Sequence, residues 1–159
     1  MKKITFLFII GLLLLAYITN AQKPRYIKTN TYEGVVFLKH GVPSYLSKHL
    51  YVPTNKEIAT MEKKIADSIG VLFSNFVKKS NYKGECDFGQ NLQKFKRQYY
   101  GYRTKKDIVI YVTFYLQVPD DWKEVWIVEG LSRRCEEFKI NYSITSGKFL
   151  DFFTSLSPI

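Results

Sequence analysis

From Thr54 onward the apolar positions recur at intervals of three and four: Ile58, Met61, Ile65, Ile69, Leu72, Phe73 and Phe76. That spacing places them on one face of a helix reaching about Lys79, with Glu62, Lys63, Lys64, Asp67 and Asn75 assigned elsewhere. Thr54-Asn55-Lys56-Glu57 has the form of a capping box, in which the hydroxyl and carboxylate take up amide protons that the first helical turn leaves unpaired. Beyond the helix the period drops to two. Phe95 to Tyr102 sets Phe95, Arg97 and Tyr99 against Lys96, Gln98 and Tyr100. Ile108 to Leu116 sets Ile108, Ile110, Val112, Phe114 and Leu116 against Val109, Tyr111, Thr113 and Tyr115, the pattern of a central strand covered on both sides. Val125 to Val128 reads as a further strand after the Pro119-Asp120-Asp121 turn. Cys135 to Ile144 points Phe138, Ile140 and Tyr142 inward, and Lys148 to Phe153 closes the series after a tight Ser146-Gly147 turn.

One long helix followed by strands joined at hairpin length predicts an α+β fold: the helix packed on a curved four- to five-stranded antiparallel meander, a cystatin-like or NTF2-like roll. Such short connections leave little room for parallel neighbours. Before the helix, residues 22–53 supply an aperiodic polar and aromatic stretch, a short strand at Gly34–Leu38, and a loop with Gly41, Pro43 and Pro53. This segment is expected to form one domain with residues 54–159.

Residues 1–21 have another character. Lys2 and Lys3 precede an apolar run from Ile4 to Tyr17, and Thr19-Asn20-Ala21 ends in small residues, the pattern of a signal peptide cleaved after Ala21. A spanning helix needs roughly 20 apolar residues, more than this run offers, so no stable membrane span is expected after cleavage. The expected location is the periplasm or the exterior. Without Lys2 and Lys3 the chain keeps 22 basic against 14 acidic residues, a net charge of +8. The charges lie in scattered pairs such as Lys63-Lys64 and Arg133-Arg134, which fits a soluble surface or an anionic envelope partner; nucleic acid is not expected. Two cysteines, Cys86 and Cys135, predict one disulfide in an exported chain, since neither a C-x-x-C pair nor nearby ligands at zinc spacing accompany them.

The run Lys96-Arg97-Gln98-Tyr99-Tyr100-Gly101-Tyr102, the strand Ile108 to Phe114, the Trp122-Lys123 step, Val128-Glu129-Gly130 and Phe138-Lys139-Ile140-Asn141-Tyr142 together resemble small secreted hypothetical proteins of Bacteroidota. The resemblance covers about residues 92–153 and is one of strands and turns. It brings no catalytic residues with it, and Glu129-Gly130-Leu131 stands where such sequences commonly carry paired glycines.

Candidate chemistry is sparse. His40 and His49 read as solvated loop residues, and Asp120 and Asp121 as turn formers after Pro119. The Asn141-Tyr142-Ser143 sequon falls mid-strand. No G-x-S-x-G, H-E-x-x-H, P-loop or dinucleotide fingerprint occurs, and no catalytic residue, metal or cofactor is assigned. Aromatics mixed with cations make the sheet face opposite the helix the expected binding surface, carried by Arg97, Tyr99, Tyr111 and Trp126. The leading expectation is an exported, non-enzymatic binding or interaction module whose partner is an envelope or secreted protein, as for an inhibitor or immunity factor, or an anionic glycan. The alternatives are a small enzyme or ligand carrier built on a helix–sheet cavity, and a structural envelope component.

Overall fold

Helix α1 (Asn55–Ser80) begins at the capping box that the sequence predicts. The Thr54 amide donates to Glu57 Oε2 (2.7 Å), the Glu57 amide donates to Thr54 Oγ1 (3.2 Å), and the Tyr51 hydroxyl adds a 2.6 Å bond to Glu57 Oε1. The structure, a computed structural model, describes residues 23–38, 42, 49–80, 86–127 and 135–154. The expected signal peptide, His40, Gly41, Pro43 and the stretch Val128-Glu129-Gly130 lie outside the described residues.

Burial opposes charge on Glu57, but the bonds from Tyr51 and from the Thr54 amide and hydroxyl outweigh it and hold the carboxyl below its ordinary 4.5. The folded chain therefore releases this proton more readily than the unfolded chain. The resulting stability is present above the unfolded value and is lost as pH falls through the folded one. Glu57→Gln is expected to remove this acid-sensitive portion. Melting temperatures followed downward from about pH 5 should fall less steeply in the variant than in the native protein.

Among the described residues, seven strands form one mixed sheet: β1 (Arg25–Lys28), β2 (Glu33–Val36), β3 (Leu50–Tyr51), β4 (Lys96–Arg103), β5 (Ile108–Tyr115), β6 (Glu137–Ser143) and β7 (Phe149–Thr154). The spatial order is β1-β2-β4-β5-β6-β7, and β3 also pairs with β4, so the sheet is open, with β1 and β7 at its ends. The expected antiparallel meander is present as β4 to β7. Two expectations are corrected. Three strands before the helix join the sheet, bringing the count above five. Moreover, β2 runs parallel to β4, with Gly34 beside Arg97 and Val36 beside Tyr99. The reason is that α1 lies in the connection between these two strands and serves as the long crossover that a parallel pair requires. Hairpin-length loops excluded parallel pairing only downstream of the helix.

One edge of β4 is shared. Its first half takes β2 in parallel and its second half takes β3 antiparallel, with Tyr51 opposite Gly101. A Cβ at Gly101 would collide with the Tyr51 carbonyl and come within 2.9 Å of Pro53 Cδ, so only glycine permits this approach.

The main core lies between α1 and the sheet. Ile58, Met61 and Ile65 are fully buried against Tyr99, Ile110, Val112, Phe114, Phe138 and Ile140, so the helix face is the predicted one. At its far end the short helix α2 (Phe88–Asn91), capped by Asp87 accepting from the Gln90 amide, inserts Phe88 edge-on to Phe73 and against Phe138. Just before α2, Cys86 is bonded to Cys135 beside β6, as expected.

A smaller core occupies the opposite face, where Val35, Phe37 and Tyr100 are covered by Trp122 and Trp126. The expected strand at Val125–Val128 is not formed through Ile127; the chain turns at Asp120–Glu124 and continues without regular structure. Gln98 supplies what strand pairing would have. Its Nε2 donates to the carbonyls of Trp122 (2.8 Å) and Val125 (2.9 Å), and its Oε1 accepts from the Ile127 amide (2.9 Å). Gln98→Leu keeps the volume but strands three backbone groups, an expected loss of about 2–4 kcal/mol. The variant should also show red-shifted tryptophan emission and faster amide exchange at Ile127.

Candidate functional site

Alternation along β4 directs Arg97 and Tyr99 toward α1, and Gly34 on the neighbouring parallel strand leaves room for them. A Cβ on Gly34 would strike the Tyr99 ring and come within 2.9 Å of Arg97 Cβ. Across from them, Glu62 lies four residues after Ile58 and three before Ile65, on the apolar stripe itself. The three side chains form a buried polar cluster. Tyr99 Oη donates to Glu62 Oε1 (2.8 Å), Arg97 Nη2 approaches Glu62 Oε2 at 3.4 Å, and Arg97 Nη1 donates to the Phe95 carbonyl. The guanidinium also stands 5.1 Å from the Phe114 ring centroid and 5.8 Å from that of Tyr32. Its Nε is buried without an acceptor among the described residues.

Burial pushes the Glu62 carboxyl above its ordinary value, with Arg97 and the Tyr99 bond pulling the other way. Burial likewise raises the Tyr99 phenol well above its ordinary 10, and the Glu62 charge adds to the effect. Tyr32 is raised for the same two reasons. Tyr99 thus remains a hydrogen-bond donor throughout the physiological range.

This cluster borders a cleft of about 440 Å³ between α1 and the β1–β2 turn. Its walls include Ala59, Glu62, Lys63 and Ala66 from α1, Thr29, Thr31 and Tyr32 from the turn, Leu92 from the 3₁₀ turn Leu92–Lys94, and Arg97 from β4. The spacing explains the hollow. Residues 59, 62, 63 and 66 share one stretch of helix surface, and two of them are alanines, which leave the groove unfilled. The turn opposite is fixed by Thr29, whose Oγ1 accepts from the amides of Thr31 (3.2 Å) and Tyr32 (3.0 Å). The volume falls within the range of small-molecule sites, roughly 300–1,000 Å³.

The four expected binding residues are therefore divided between the two sheet faces. Arg97 and Tyr99 are 1% and 0% exposed and point toward the helix, which corrects their assignment to the opposite face. The cause is register: the even positions Gln98 and Tyr100 take that face instead. Tyr111 and Trp126 do lie on the opposite face, 6.1 Å apart between ring centroids, with Trp126 buried against Phe37. They belong to the second core. Placing Glu62 away from the apolar face of the helix is also corrected, because its pairing with Arg97 carries it inside. The sequence held a signal for this: a carboxylate on the apolar stripe of the helix and an arginine between two inward aromatics of a strand can be buried together only as partners.

Asp120, Asp121 and His49 are exposed and stand apart from the cleft. Asn141 is partly buried on β6 and donates to Asp151 Oδ2 at 3.3 Å. Among the described residues, no three His, Cys, Asp or Glu side chains are grouped to hold a metal ion, and no helix is long and apolar enough to cross a membrane. No protein-family model, curated protein or solved structure matches this chain.

Proposed function

We propose that this protein is an exported, non-enzymatic binding module that receives a small ligand in the cleft between α1 and the β1–β2 turn. The observation that carries the reading is the cleft itself, a recess of about 440 Å³ bordered by buried charged groups that are fixed before any ligand arrives. Both Glu62 oxygens are engaged, one by Tyr99 and one by Arg97, which favours a positioned wall over a proton-transfer group. The Cys86–Cys135 bond supports export, since structural disulfides persist in oxidising compartments. A helix laid across a sheet with a recess at one margin also suits a roll of the cystatin-like or NTF2-like kind, and places the ligand-carrier reading ahead of a purely structural role.

The test compares the native protein with Ala66→Leu, a substitution at an exposed helical position that fills the cleft. Each is incubated with a small-molecule extract of the cells that export it, washed, and analysed by native mass spectrometry. The expected result is a compound retained by the native protein and lost by a variant of unchanged melting temperature. Equal retention by both, or retention by neither, overturns the reading.

A further inference from the structure

We propose that the cleft selects a small organic carboxylate, with the carboxylate lodged toward Arg97 and Lys63 and the apolar body lying along Ala59, Ala66 and Leu92. This rests on the cleft being the binding site proposed above and adds the chemical class of the ligand. Three features lead to it.

The first is charge. Arg97 and Lys63 outnumber Glu62 among the charged lining residues, so the recess carries one net positive charge, matched by a monoanion and not by a cation. The second is the donor set. A guanidinium has five N–H bonds; here Nη1 serves the Phe95 carbonyl and Nη2 serves Glu62, while Nε has no acceptor among the described residues. An oxygen anion at the Arg97 edge of the cleft can take a charge-assisted bond from the guanidinium, whose donors are not all spent, and the Thr31 and Tyr32 hydroxyls in the same lining can serve the remaining lone pairs. The third is the apolar portion. Two alanines and a leucine offer nothing to a fully polar ion such as inorganic phosphate, but they suit a carbon skeleton attached to the carboxylate. Burial favours the neutral form of Glu62, which leaves the recess no less positive and so acts in the same direction.

The probes are benzoate, benzamide and benzylamine, which share a ring and differ in charge. Each is titrated into the isotopically labelled protein while the amides of Thr31, Ala59 and Ala66 are followed by NMR. Benzoate is expected to shift these amides with millimolar affinity, benzamide to bind about tenfold more weakly, and benzylamine weaker still. Lys63→Gln should bring benzoate close to benzamide, and Ala66→Leu should abolish all three responses without moving the melting temperature. Benzamide equal to benzoate, or benzylamine the strongest, overturns the carboxylate class while leaving the cleft as a binding site. Silence from all three probes also overturns it; if the extract compound is nevertheless lost in Ala66→Leu, the broader function survives that failure.

Discussion

Glu62→Ala is expected to lower the unfolding free energy by about 3–5 kcal/mol, a large share of what holds a typical domain together. The substitution leaves the Arg97 guanidinium, 1% exposed, without its counter-charge and the Tyr99 hydroxyl without its acceptor. A shift of the urea midpoint at constant slope measures the loss. The same cluster can be removed at much lower cost. Glu62→Leu with Arg97→Met and Tyr99→Phe takes away every member at once and replaces it with apolar volume, so this triple variant should stand within about 2 kcal/mol of the native protein. A triple variant as unstable as Glu62→Ala would mean that packing, not the stranded charge, dominates. The pH profile gives an independent readout. Burial raises the Glu62 carboxyl above its ordinary 4.5, so the folded chain holds this proton more tightly than the unfolded one. Its contribution is complete below the unfolded value and fades as pH rises through the folded one, the reverse of Glu57. Glu62→Gln, which cannot titrate, should lack that descending limb.

Replacing Cys86 and Cys135 by serine is expected to cost about 4 kcal/mol, because the bond closes a loop spanning 49 positions and restricts the unfolded chain accordingly. For a chain of this size, that is a fall on the order of 15 °C in melting temperature. The backbone at Cys135 adds a second, separable effect. Its φ of 62° lies in the left-handed region, which costs a non-glycine residue about 1–2 kcal/mol. Cys86→Ser with Cys135→Gly should therefore be more stable than the double serine variant by about 1 kcal/mol. Equal stability of the two variants would show that residue 135 relaxes once the crosslink is absent.

What the amino-acid order discloses follows from how locally each feature is determined. The capping box, the helix face and the alternation in β4, β5 and β6 depend on neighbours a few residues apart, and these were readable. The disulfide was readable by elimination, with two cysteines and one possible bond. The parallel β2–β4 pair was not, because its partners are about 60 residues apart and nothing in Glu33–Val36 signals which edge it will seek. The site was half visible. Arg97 and Tyr99 were singled out, but strand alternation does not say which set of side chains meets the helix, and a one-residue difference decides it. Glu62 was hidden by its own charge, and Gln98 by the fact that its three partners lie in a segment without regular structure. The hollow at Ala59 and Ala66 arises from side chains that are small, a quality that periodicity does not register.

The parallel pairing of β2 with β4 also sets an order of assembly. The chain is synthesised from its N-terminus, so the β1–β2 hairpin emerges well before the strand on which it will rest. A lone two-stranded hairpin is marginal in water, and this one must wait for α1 to pass and for β4 to follow before it has a sheet to extend. The first part of the sheet to be made is thus left without a sheet to join until β4 has followed, and the β1–β2 turn that walls the cleft has its support only from then on.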